Sequence, residues 1–361
     1  MRLGSIQFLR MLAALLIACL HGIETQVYTP PGYYPSRPIS REVGALGIGV
    51  DIFFVISGFI ISLTAAGYNG RDQSLHFLKK RFIRLNPVYY IALLIFLALN
   101  IHHMLKDYVP GYEVFLKSVI LLPLADSAIW NVCILPVAWT LNFEWYFYIL
   151  FAIAIALPVK NKPRFLIALG IILVACYYIP GITDARIWFV TNPILLEFLM
   201  GAGIYLWYRH VLPSRAVAYG LLIGGVALYL LDTVYGSMFL NDLSGTAEGR
   251  IAFQRVLQMG IPAALIMSGC VFLEKNGLFL PLWNRRWVQL LGNASYSLYL
   301  THYITYTALE ALFVRIGPVM NFNLSIVTWF LIAVINGILF YRYVEYPLLQ
   351  TLRRLPRSAG V

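Results

Sequence analysis

The chain has 361 residues, of which 60% are hydrophobic, 15% aromatic and only 12% charged, with a mean hydropathy of +0.75. Soluble domains carry about 25% charged residues, so an ordinary water-soluble fold is excluded and a lipid bilayer must take up the apolar surface. The formal charge of +11 comes without a basic face interleaved with aromatics, which argues against nucleic acid as a partner.

The first apolar stretch, SIQFLRMLAALLIACLHG at 5–22, carries an arginine, Arg10, and a histidine, His21. Ionisable groups are costly in a bilayer core and mark functional positions there. Eleven residues are about three helical turns, so the two side chains share one face roughly 16 Å apart. Further runs long enough for about 30 Å of hydrocarbon lie near 44–66, 86–104, 132–158, 163–179, 188–208, 215–234, 256–274, 294–315 and 322–344. With 5–23 they predict an all-α integral membrane protein of about ten transmembrane helices in one bundle. The run at 114–124 is too short to span and predicts an interfacial or re-entrant segment. No cleavage pattern of small residues follows the first span, so it is kept as a span. Residues 1–350 read as one transmembrane domain and 351–361 as a short basic tail. With the amino terminus inside, nineteen of the 27 lysines and arginines fall on the inner side, which predicts cytoplasmic termini. Cys19, Cys133, Cys176 and Cys270 form no CxxC pair. They read as small buried hydrophobes, with no metal site expected.

Several spans carry residues that need a chemical reason. Asp51, in GIGVDIFFVISGFIIS at 47–62, lies at the depth of His21 and needs a partner. Ser57 follows near the middle of that span, and its glycines suit either close helix packing or a site. In LHFLKKRFIRLNPVYY, Arg81 and Arg84 are i and i+3, a fork for phosphates or a topology anchor at lipid headgroups. Pro87 reads as the start of the next span. In WTLNFEWYFY at 139–148, Thr140, Glu144 and Tyr148 share a face. Glu144 is too deep to stand alone, and it could orient an imidazole or transfer a proton. Ser295, Tyr299 and His302 recur at i, i+4 and i+7. Tyr148, Tyr299 and His302 form an additional candidate group, with a hydrogen-bonded core role as the plainer reading of His302. Glu345 is expected to pair with Arg342 or a loop arginine. Glu197 is a further intramembrane acid with no assigned role.

Together these stretches resemble the membrane-bound acyltransferase-3 family, most closely its exopolysaccharide acetyltransferase branch. The resemblance rests on Arg10 with His21, GVDIFFVISGF at 49–59, RFIR at 81–84, WTLNFEWYFY at 139–148, SYSLYLTH at 295–302 and VEYP at 344–347. It implies a multi-pass protein of the bacterial inner membrane that moves an acetyl group from cytoplasmic acetyl-CoA to a glycan or polysaccharide hydroxyl. Membrane lipids are the other expected partner, and no tightly bound cofactor is expected. Arg10, Arg81, Arg84 and Ser57 would hold the acyl-CoA. A channel would carry the thioester to His21, as general base or transient acyl carrier, with Asp51 or Glu144 orienting the imidazole. A transporter or flippase for an acidic or glycan substrate is the alternative, since intramembrane ionisable groups also line transport paths. A scaffold for polysaccharide synthesis is the third.

Overall fold

The computed structural model describes residues 3–27, 41–106, 112–121, 133–181, 184–235, 251–316 and 322–354. Among these residues every regular element is a helix. The first, α1 (Gly4–Val27), begins against a carboxylate from far along the chain. The backbone N–H groups of Gly4 and Ser5 each donate to Glu274 at 2.8 Å, and the Ser5 hydroxyl donates to it as well. The first amides of a helix lack internal partners and sit at the positive end of its dipole, so an acid there fixes where α1 starts.

Next come α2 (Ile48–Ala65) and α3 (Arg71–Lys106). With 36 residues α3 is about 54 Å long, so its basic first turns stand outside the hydrocarbon. The start of a span expected at Pro87 is not a helix start, and the proline lies inside α3. Prolines are accommodated in membrane helices where neighbours satisfy the backbone locally. Asn86, the residue before it, is itself tied to the hydroxyl of Tyr90 at 3.0 Å and the indole N–H of Trp145 at 3.1 Å. The short segment expected near 114–124 contains a nine-residue helix, α4 (Tyr112–Ile120). The hydroxyls of Tyr89 and Tyr90 bind it to α3 through the carbonyls of Ser118 and Val119.

A single 3₁₀ turn, Pro136–Ala138, leads into α5 (Trp139–Ala156). It is followed by α6 (Lys162–Cys176), the short Ala185–Thr191 turn, α7 (Leu195–His210) and α8 (Arg215–Tyr235). Helix α9 (Ala252–Lys275) contains a π turn at Val256–Gly260. The last long helices are α10 (Arg286–Ile316) and α11 (Phe322–Phe340), which passes through a second π turn into the amphipathic α12 (Tyr346–Arg354). The region read as a tail is therefore helical as far as Arg354.

Eight helical stretches among the described residues are long and apolar enough to cross a bilayer. The two expected spans outside that set have separate reasons. Helix α6 has 15 residues, a reach of only about 22 Å. Helix α10 has 31 but buries Ser295, Ser297, Thr301, His302 and Thr305, which lowers its hydropathy. It packs between α1 and α11, so those hydroxyls and the imidazole face protein. Elsewhere the bundle closes on glycine. A Cβ at Gly58 would stand 2.0 Å from the Phe198 carbonyl oxygen, and one at Gly201 would stand 2.1 Å from that of Val55. Only hydrogen side chains let α2 and α7 approach so closely.

Candidate functional site

A cavity of about 1020 Å³ lies between α1, α2, α3, α5 and α10, with Arg353 of α12 at its edge. Its wall changes chemistry along its length. One end is cationic, with exposed Lys79 and Lys80 beside Arg81, Arg84 and Arg353. The middle holds Arg10, Ser57, Glu144 and Tyr148, and the far end is Val50, Phe53, Thr140 and Tyr299.

The three arginines expected to act together do line one space. Arg10 Nε donates to Ser295 Oγ at 3.2 Å, and Arg81 donates to Thr64 Oγ1 at 3.1 Å. The Arg81 guanidinium also lies over the rings of Phe77 and Tyr148 at 5.2 and 5.5 Å. Among the described residues, none of Arg10, Arg81 and Arg84 forms an ion pair with a carboxylate. Guanidinium groups so placed, with planar donor forks and no carboxylate at ion-pair distance among the described residues, suit an anionic ligand such as phosphate.

Glu144 belongs to this cavity and not to the histidine. Its Oε1 accepts from Ser57 Oγ at 3.2 Å and from the Tyr148 hydroxyl. The expectation that it orients His21 fails because α5 starts too deep. Thr140 in the first turn of α5 already meets the Tyr299 hydroxyl at 2.8 Å, and the helix then runs away from the histidine end.

Asp51 does not reach His21 either. It is wholly buried in a two-point pair with Arg255, Nε to Oδ1 at 3.0 Å and Nη2 to Oδ2 at 2.7 Å. Arg255 also donates to the Gly47 carbonyl at 3.1 Å. Glu197, fully buried, joins this nest, packed against Gly260 and beside Asp51. Glu345 accepts from Ser297 Oγ at 2.5 Å inside the bundle, and the arginines that act on it electrostatically are Arg84 and Arg10, not Arg342.

What meets His21 is His302. His21 Nδ1 lies 2.8 Å from His302 Nε2, with the ring planes 1° apart. His302 Nδ1 lies 3.0 Å from the carbonyl oxygen of Leu298. A carbonyl only accepts, so His302 Nδ1 carries the proton and its neutral ring accepts at Nε2. His21 must then donate from Nδ1, which leaves Nε2 as a bare lone pair. The side chain of His21 is 17% exposed. Helix α10 thus sets the spacing of the whole site. Ser295 meets Arg10, Tyr299 meets Thr140 and His302 meets His21.

The channel expected to join the arginines to His21 is not continuous. Neither histidine lines the cavity, which ends at Phe53 and Tyr299. Their rings are 6.0 Å apart, and Tyr299 lies 5.9 Å from His302. The Tyr299 hydroxyl donates to the Val137 carbonyl at 2.8 Å, so one pinned aromatic ring separates the cavity from the histidine pair. Sequence reasoning missed Arg255 and Arg353. The first was read as a loop base and the second as part of a tail.

The chain matches the family model described as Acyltransferase domain (Acyl_transf_3) over residues 3–342. It is 31% identical over 324 residues to the exopolysaccharide production protein ExoZ of Rhizobium meliloti (strain 1021), covering 87% of this chain and 92% of that protein. It is 26% identical over 343 residues to the peptidoglycan O-acetyltransferase OatA of Listeria monocytogenes, covering 83% of this chain and 51% of that protein. To the O-acetyltransferase OatA of Staphylococcus aureus (strain NCTC 8325) it is 26% identical over 348 residues, covering 87% and 55%. The chain thus spans about half the length of the OatA proteins. No solved structure matches it.

Proposed function

The chain belongs to the acyltransferase-3 family, and from that premise we propose that it moves an acetyl group from acetyl-CoA to a hydroxyl of a surface polysaccharide or its lipid-linked precursor. Coenzyme A is a polyanion on a long thin arm. Its phosphates would sit among Arg81, Arg84, Lys79, Lys80 and Arg353, with the arm running past Arg10 and Ser57 toward Tyr299. A volume of about 1020 Å³ is at the upper end of the usual range of about 300–1,000 Å³ for small-molecule and cofactor sites. The cation-rich end faces the cytoplasm in this reading, as the distribution of basic residues suggests. The His21 end then faces the acceptor. A polysaccharide acceptor is suggested by the similarity to ExoZ, an exopolysaccharide production protein, and to OatA, a peptidoglycan O-acetyltransferase.

The observation that carries the reading is the contact of His21 Nδ1 with His302 Nε2 at 2.8 Å. With Nδ1–H committed to His302, Nε2 is free to take the proton of an acceptor hydroxyl. The hydroxyl oxygen attacks the thioester carbonyl as its proton passes to Nε2, so a C–O bond forms. The C–S bond then breaks with its electron pair on sulfur. The thiolate recovers the proton from His21, leaving an acetyl ester and free coenzyme A. Proton transfer by a placed base contributes roughly 100- to 10,000-fold in rate. Movement of Phe53 beside the pinned Tyr299 would bring the thioester to the histidine.

Mass spectrometry of surface glycans from cells with and without the protein tests the proposal. The expected result is an acetyl mass on a glycan only when the protein is present. Identical glycans in both strains would overturn it.

A further inference from the structure

A base that takes a proton becomes a cation, and in a half-buried site that cation needs a counter-charge. The two carboxylates that the sequence offered for this purpose are committed elsewhere, Asp51 to Arg255 and Glu144 to Ser57 and Tyr148. A third carboxylate faces the open nitrogen. Glu24 Oε2 lies 3.8 Å from His21 Nε2, three residues further along α1 and so on the same helix face. That separation is too long for a hydrogen bond. With His21 in the neutral tautomer described above and Glu24 ionised, both facing atoms are acceptors and do not bond to each other. The missing element between them is a donor.

We propose that Glu24 is the positioning residue that holds the positive charge formed on His21 during transfer, and that the acceptor hydroxyl donates into the gap between them. This rests on the reading of His21 as the base. The hydroxyl first satisfies the Nε2 lone pair. Once its proton has crossed, Nε2–H faces Oε2 as an ion pair, and the pair dissolves when the thiolate takes the proton away. The Glu24 side chain is 26% exposed and that of His21 17%, so a polar solute can enter and solvent screens part of the attraction. Tyr303 closes one side, its ring edge-to-face with His21 at 6.0 Å.

The test uses purified full-length protein in proteoliposomes, labelled acetyl-CoA, and de-acetylated surface polysaccharide from a strain lacking the gene. Glu24→Gln keeps the shape and removes the charge. It is expected to lower kcat roughly 10- to 100-fold with the KM for acetyl-CoA unchanged. Glu24→Asp recovers part of the rate, and added formate raises the rate of Glu24→Ala. A purely structural role would respond to neither. Wild-type kcat in Glu24→Gln overturns the proposal, as does a Glu24→Ala rate that formate leaves unmoved. His21→Ala in the same assay separates the two ideas. If it is inactive while Glu24→Gln is fully active, the base stands and Glu24 has no part. If it is active, both fall.

Discussion

Substituting His21 by alanine is expected to lower acetyl transfer by roughly 100- to 10,000-fold, the contribution of a placed general base. The variant still inserts and accumulates, but it leaves His302 Nε2 without its donor, at a cost of about 1–3 kcal/mol for an unsatisfied buried group. His21→Asn is the sharper experiment. Its side-chain amide can donate to His302 from close to where Nδ1 stood, while nothing replaces Nε2. Transfer should be as low as in His21→Ala, with thermal stability nearer the wild type. Rates come from labelled acetyl-CoA and stability from melting in detergent. Normal transfer by the asparagine variant would remove His21 from the chemistry.

Asp51→Ala is expected to fail in a different way. It strips the Arg255 guanidinium, 5% exposed, of both its carboxylate hydrogen bonds, a loss of about 3–5 kcal/mol. Replacing both partners with leucine, with Glu197→Gln in the same chain so that no buried charge is left behind, should recover much of that stability, because these uncharged side chains have far less desolvation penalty to offset. Acetyl transfer per folded molecule should be retained in the triple variant, since the cluster lies apart from His21 and lines no part of the cavity. Melting temperature and specific activity, measured together, separate a structural pair from a catalytic acid. Equal stability of Asp51→Ala and wild type would contradict the assignment.

These two expectations show where sequence reasoning succeeded and where it stopped. The apolar runs located the helices because spanning a bilayer demands length and hydropathy that nothing else in the chain mimics. Arg10 and His21 could be placed on one face of α1 because helical periodicity is local. The stripe Ser295, Tyr299, His302 was readable for the same reason. Partners across helices were not readable. His21 and His302 are 281 positions apart, and packing alone decides that α10 lies against α1. Arg255 was lost to a boundary: a span read as beginning at 256 left it in a loop, whereas α9 begins at Ala252 and carries it inside. Glu144 was misplaced by depth, since α5 starts beside Tyr299 and not near His21. In each case the residue type was informative and its neighbour was not. The family match over residues 3–342 decides for an acyltransferase over the transport reading, which composition and spacing had left open.

The central claim is that donor and acceptor meet from opposite ends of one bundle, the donor from the arginines and the acceptor from His21. Sealed vesicles of defined orientation test it most directly, with labelled acetyl-CoA on one side and de-acetylated polysaccharide on the other. Label is expected on the polysaccharide only when acetyl-CoA is on the side of Arg81 and Arg84 and the polysaccharide is on the side of His21. Efficient transfer with both substrates confined to the arginine side, and none across the membrane, would contradict it.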